Sequence, residues 1–252
     1  MRRSLLLFIL LTGPVLARVE DNSFLLEEAY NQNPGEIQLI QRYQTFQHER
    51  PEYGVEIEAP ITDNTHQFSL AIGRQENLSD LEVGYRFQAI NVEGKMLTEG
   101  LRIILPTGSL RNESDHGVVG YEWLQSATVV FNEKISNHWN LGVRVYPNAE
   151  SPSTSDDRTL TNFIGGTSLV YYYQEDLNFL LEGLFESEEM IDDRGEIESE
   201  VRFNLNPGVR FAWNIDWQKS QIVPGIAFPV VFNDEKTNPG VFFYFSWEST
   251  LF

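Results

Sequence analysis

The stretch Val201-Arg202-Phe203-Asn204-Leu205-Asn206-Pro207-Gly208-Val209-Arg210-Phe211-Ala212-Trp213 decides the fold. Every odd position is apolar, and the even positions carry Arg, Asn, Gly or Ala. Successive side chains of a strand point to opposite faces, so this spacing predicts a strand with one apolar and one polar face. The same period of two runs through Leu81 to Ala89, Tyr53 to Ala59 and Trp139 to Val145. No window of comparable length holds a helical period, apart from a short stretch near Ser23 to Tyr30.

Counting outward gives about twelve strands on the pattern of antiparallel barrels. Their centres are Arg42, Glu56, Phe68, Tyr85, Leu101, Thr128, Val143, Val170, Leu181, Asn206, Ile226 and Phe245. Gln38 to Phe46 alternates poorly, and the facing of Leu160 to Tyr173 is ambiguous. Connections after even-numbered strands are short, for example Asn91 to Lys95 and Gln174 to Asp176. Those after strands five, seven and nine are long and polar: Thr107 to Gly117, Pro147 to Arg158 and Glu186 to Glu200. A transmembrane barrel sorts its loops in this way, whereas a soluble sandwich has no reason to.

The apolar faces, such as Val83, Tyr85 and Phe87, or Phe243, Phe245 and Trp247, are then expected to meet lipid. The opposite faces place Glu56, Glu58, Glu82, Arg86, Arg102, Glu122, Arg144, Glu182, Arg202, Arg210 and Glu248 in the lumen. On a soluble sandwich those residues would face solvent. Aromatic residues near strand ends and a polar face rich in Arg and Gly favour the barrel. Glu99 falls on the apolar parity of its strand and is assigned to a membrane interface.

The chain has 252 residues, 18 Lys plus Arg, 37 Asp plus Glu, no Cys and a net charge of −19. Disulfides, thiolate metal sites and cysteine nucleophiles are excluded, and nucleic-acid binding is disfavoured because phosphates would be repelled. Arg2, Arg3, the apolar Leu5 to Leu11, and Val15-Leu16-Ala17 read as a signal peptide over residues 1–17. Residues 18–36 read as a periplasmic N-terminal segment with a helix over Phe24 to Tyr30, capped by Ser23 and ended by Pro34 and Gly35, that is either a lead-in or a small plug. Residues 37–252 form the barrel.

Three segments carry a resemblance. Ser23-Phe24-Leu25-Leu26-Glu27-Glu28-Ala29-Tyr30-Asn31-Gln32-Asn33-Pro34-Gly35 resembles the start of a family of Gram-negative outer-membrane barrels. Leu101-Arg102-Ile103-Ile104-Leu105-Pro106-Thr107-Gly108-Ser109 resembles that family's strand and Pro-Thr-Gly turn. Val241-Phe242-Phe243-Tyr244-Phe245-Ser246-Trp247-Glu248 resembles its last strand. The family is the porin-like group associated with meta-cleavage phenol degradation. The resemblance implies an outer-membrane location among lipid and lipopolysaccharide, and passage of small aromatic or hydrophobic solutes. A terminal strand ending at Phe252 is the kind of signal barrel-assembly machinery reads. Phe252 lies on the parity of Tyr244 and Glu248, however, which implies a bulge near Ser249.

The lumen charges are nearly balanced, so they are expected to pair, either plugging the barrel or lining a narrow pore. Inward Leu124, Val130, Leu180, Leu184, Phe242 and Tyr244 are candidates for an apolar patch or for filler. The acidic run around Glu188, Glu189, Asp192 and Asp193 offers hard oxygen ligands for a divalent cation, but a solvated outer loop explains it more simply. No cofactor motif occurs. Ser114-Asp115-His116 has triad residue types without triad geometry, and His48, His66 and His138 are scattered. Three readings stand: a passive channel, a closed structural barrel with acidic loops, and an outer-membrane enzyme.

Overall fold

The computed structural model describes residues 22–251, apart from 48, 76, 110–115, 151–156, 193, 216–218 and 234–235. The expected leader at residues 1–17, Asp193 and Phe252 lie outside the described residues. The strands are β1 (Glu36–Phe46), β2 (Glu52–Pro60), β3 (His66–Arg74), β4 (Leu78–Val92), β5 (Lys95–Leu105), β6 (Gly120–Asn132) and β7 (Ile135–Glu150). They continue with β8 (Asp157–Tyr172), β9 (Leu177–Ile191), β10 (Ile197–Phe211), β11 (Trp213–Ile215), β12 (Ser220–Ala227), β13 (Val230–Phe232) and β14 (Thr237–Thr250). Neighbours pair antiparallel, and β1 closes on β14 from Glu36↔Thr250 to Phe46↔Gly240. The result is a closed twelve-position wall. β11 extends β10 beyond Ala212, and β12 and β13 share one position, interrupted at Phe228 and Pro229. Proline has no N–H to give a ladder; at the interruption Phe228 N donates to Pro207 O (2.9 Å) and Gly240 N to Pro229 O (2.8 Å).

The period of two has the expected consequence. Tyr85, Phe87, Leu101, Ile103, Leu141, Phe203, Phe211 and Phe243 are exposed on the outside. Exposed Phe131, Tyr171, Tyr173, Phe179 and Trp213 gather at the end that carries the even-numbered turns and the start of β1, hereafter the terminal end. Glu99 does face outward, and it is answered there: Trp123 Nε1 donates to it at 2.9 Å and Gln125 Nε2 at 2.7 Å.

Two segments read ambiguously for one reason. In β1, Gln38 and Ile40 point inward and are buried, while outward Gln41 accepts a hydrogen bond from Tyr53 Oη. In β8, Leu160, Val170 and Tyr172 are buried inward while Phe163, Leu169 and Tyr171 are exposed. A lumen that is partly apolar removes the contrast between faces on which the period depends.

Three expectations are corrected. The described residues of the connection Pro147 to Arg158, and most of Glu186 to Glu200, are strand, because β7 runs to Glu150 and β9 to Ile191 beyond the body of the wall. Asp192 closes the β9–β10 turn by accepting the N–H groups of Arg194 (2.9 Å) and Glu196 (2.8 Å) on Oδ1. The last strand keeps one register against β1 through Ser249 and Thr250, with no bulge. Finally, Phe24 to Tyr30 is not helical. The N–H groups of Leu25, Glu27 and Ala29 go to side chains of the wall and that of Glu28 to Asn22, so these donors are not used in intrahelical bonds.

Candidate functional site: the filled lumen

Residues 22–34 thread through the terminal half of the barrel. Backbone inside a wall whose own ladders are complete must find other partners, and inward side chains provide them. Leu25 N donates to Glu182 (3.1 Å), Ala29 N to Thr128 Oγ1 (2.9 Å) and Gln32 N to Gln67 (2.7 Å). Asn140 binds Glu27 twice, accepting its N–H and donating to its carbonyl, both at 2.8 Å. Gln88 treats the next stretch similarly, donating to Ala29 O (2.7 Å) and accepting Asn31 N (3.4 Å). Arg86 donates to Asn31 Oδ1 (2.8 Å) and to the carbonyl of Tyr30. The seat therefore grips the segment chiefly by its backbone.

Side chains fix the register. Phe24 is fully buried against Phe242 and Tyr244, with ring centroids at 5.8 and 5.6 Å. Gly208 and Gly225 make room for it, since a Cβ on either would stand 2.4 Å from the Phe24 ring. Leu26 rests on Gly166 in the same way, at 2.7 Å from where a Cβ would be. Glu28, also buried, meets Arg210 Nη2 at 3.2 Å and His138 Nε2 at 3.4 Å. Thr128 Oγ1, which accepts Ala29 N, also meets His138 Nδ1 at 2.8 Å, so the imidazole bridges the wall hydroxyl and Glu28.

The lumen has two unlike sides. From β8 round to β1, inward Val170, Tyr172, Leu180, Val223, Ala227, Phe242, Tyr244 and Ile40 form one apolar cluster with Phe24. From β2 to β7 the filling is ionic. Arg102 faces Glu122 (3.3 Å), Glu82 and Glu56 (both 3.5 Å), and also Glu27 of the threaded segment. Arg144 meets Glu122 (2.6 Å) and Glu82 (3.4 Å), Arg42 meets Glu56 (2.9 Å), and Arg86 meets Glu27 (3.2 Å) and Glu58 (3.8 Å). Charges this deep are tolerable only when paired, which explains the near balance of Arg and Glu.

Not every inward residue of the sequence reading joins this ladder. Glu182 serves the Leu25 N–H and Asn206 Nδ2 (2.6 Å). Arg202 stands at the opposite, loop end and pairs with Glu200 (2.7 Å) and Glu188 (3.7 Å). Glu248 is half-buried, in register between Gln38 and Gln221. Leu124, Leu180, Leu184, Phe242 and Tyr244 are buried, and Val130 is half-buried. Among the described residues no group of three carboxylates or histidines is gathered to hold a metal ion. Glu188 and Glu189 point to opposite faces of β9, and Glu189 accepts the Thr161 N–H at 2.7 Å. His138 lies 3.3 Å from Ser136 Oγ, but both are sealed from solvent. Sequence reasoning missed Arg42, Glu27 and Glu28. Arg42 sits on the poorly alternating β1, and the two Glu lie in the expected helix, whose place as lead-in or plug the sequence leaves open.

Toward the loop end the filling stops. A cavity of about 420 Å³ opens beside β1 to β4, floored by Phe24, Leu25, Leu26, Glu27 and Phe242 and walled by Arg42, Glu52, Glu56 and Arg102. Gly54 leaves its wall bare, since a Cβ there would meet nothing within 4 Å. On the other side a second apolar cluster, Ile104, Tyr146, Ala149 and Leu160 with Val118 and Ile191, roofs the lumen.

A filled, ion-paired, closed wall of this kind can be compared with solved proteins. The chain is similar to an outer membrane channel from Pseudomonas putida F1, at 12% identity over 86% of this chain and 97% of that one, with a TM-score of 0.63. It is also similar to the KdgM porin (13% identity, 82% and 98% covered, TM-score 0.52) and to the NanC porin (11%, 85% and 98%, 0.51). The fold is that of the outer-membrane porins. No family model and no curated protein matches the sequence.

Proposed function

We propose that this barrel is an outer-membrane channel through which small molecules cross by passive diffusion, with its terminal end in the periplasm and its outward apolar belt in lipid. The observation that carries the reading is the 420 Å³ cavity, which enters the lumen from the loop end of a closed, charge-lined wall and stops on a threaded segment. The size falls within the range of small-molecule sites. The solute class we infer is small and hydrophobic or aromatic, because the cavity floor, apart from Glu27, is made of Phe24, Leu25, Leu26 and Phe242. The resemblance to the meta-cleavage phenol group and the channel nature of the structural neighbours support the same reading. The test is single-channel recording of purified protein in planar bilayers, with and without a neutral aromatic solute. Conductance that the solute partly blocks is expected. A lumen silent at every voltage, both as the full chain and lacking residues 18–34, would turn the assignment toward a closed structural barrel.

A further inference from the structure

The loop-end cavity is not the lumen's only empty space. A second chamber of about 20 Å³ lies deeper, among Gln67, Ser69, Arg86 and Glu122. That is room for about one water molecule. The two spaces have just two lining residues in common, Glu27 and Arg102. Both chambers lie on the ionic side, and the glycines at 84 and 100 keep the inner one open. Past it, toward the terminal end, Gln32 donates to Gln38 and its backbone N–H to Gln67. On the apolar side the segment packs directly on the wall: a Cβ on Gly208, Gly225 or Gly166 would collide with it.

We propose that the Glu27–Arg102 ion pair is the gate of the lumen, and that the permeation path runs past it along the ionic side rather than through the apolar cluster. The proposal rests on the channel reading above and adds where the path runs and which residue sets its selectivity. Glu27 belongs to the threaded segment and Arg102 to β5, so the pair joins the segment to the wall at the point that divides the two chambers. Glu27 can be removed without stranding the cations it touches. Arg102 keeps Glu56, Glu82 and Glu122, and Arg86 keeps Glu58. Loss of its negative charge takes one carboxylate out of the ladder where the two chambers meet, which shifts selectivity toward anions relative to the parent.

The experiment uses the full chain. In planar bilayers Glu27→Ala is expected to raise conductance several-fold and to move the reversal potential in a salt gradient toward anions. Val223→Ala, which opens space on the apolar side, is expected to leave both at parental values. The chain has no cysteine, so Ser69→Cys places a single thiol in the inner chamber. A charged, membrane-impermeant thiol reagent added at the loop side should label it only when Glu27→Ala is also present. Equal labelling with and without Glu27, or opening by Val223→Ala alone, would overturn the proposal. A chain lacking residues 18–34 separates the two readings. If it conducts while Glu27→Ala does not, the gate is wrong and the channel stands. If neither conducts, the channel reading fails with it.

Discussion

Asn140 shows how a single side chain organises the lumen. Its amide matches the N–H and carbonyl of Glu27 as a neighbouring strand would. Replacing it with Leu keeps the volume and leaves two backbone groups without partners, at a cost of about 1–3 kcal/mol. The expected outcome of Asn140→Leu is faster hydrogen exchange at Glu27 and Glu28, with the wall amides of β7 unchanged. Gly225 makes the complementary point by what it lacks. A Val there would collide with Phe24, and overpacking of this kind costs about 1–3 kcal/mol. Gly225→Val should therefore displace the segment while the barrel still folds, seen as new protease cleavage near Phe24 without loss of the compact unheated form on detergent gels. On the outside the rule reverses. Leu101 is exposed on the outward face of β5, and Leu101→Arg should destabilise the barrel by about 2–4 kcal/mol if that face meets the bilayer midplane. The change would be read as a lower urea midpoint for folding into vesicles.

At the scale of elements, the loop between β5 and β6 is held by contacts with defined chemistry. Thr107 Oγ1 accepts the Leu81 N–H and Asp80 Oδ1 accepts the Gly108 N–H, at 2.9 and 2.8 Å. Farther on, His116 is buried with its ring 4.0 Å from that of Tyr146. Burial, helped by the Arg144 charge, pushes the His116 pKa down to about 4 from 6.5. The unfolded loop thus binds a proton more readily than the folded one. The contribution is intact above about pH 6.5 and is lost progressively as the pH falls toward 4. Protection factors at Val118 and Gly120, taken against the intrinsic exchange rate at each pH, should fall over that interval, and His116→Phe should remove the fall.

The strands themselves were legible wherever outside and inside differ in polarity, as in β10. They blurred in β1 and β8, where Ile40, Val170 and Tyr172 point into an apolar half-lumen. The ionic ladder could be anticipated as a balance of Arg and Glu, but its geometry could not, because Arg102 gathers carboxylates from β2, β4, β6 and the threaded segment. The segment misled for a physical reason. Ser23, the apolar residues and Pro34 are what a capped helix needs, and nothing local reveals that wall amides compete for its N–H groups.

At the scale of the whole molecule, the division of the lumen into an ionic and an apolar side is the organising feature. Glu122 sits at the middle of the ionic side, in contact with Arg102 and Arg144. Breaking a buried pair costs on the order of 3–5 kcal/mol, but both arginines retain Glu82. Glu122→Gln should therefore fall short of that cost, and Glu82→Gln with Glu122→Gln should exceed the sum of the two single changes in urea titrations. Such coupling is what a shared network shows and what isolated pairs do not.

The threaded segment also sets an order of events. Arg210 donates to the carbonyl of Asn22 across 188 residues of chain, and Ser23 reaches Ser168 across 145. Contacts between such distant parts of a sequence form late. These have a further requirement, since the seat is assembled from strands β3 to β10 together with β12 and β14 and does not exist until those strands have paired. The threaded segment, made before the strands that seat it, is thus the last to find its place. A newly closed wall would pass through an interval in which its interior is wet and residues 22–34 are still unseated, and only the completed molecule would be watertight on its apolar side.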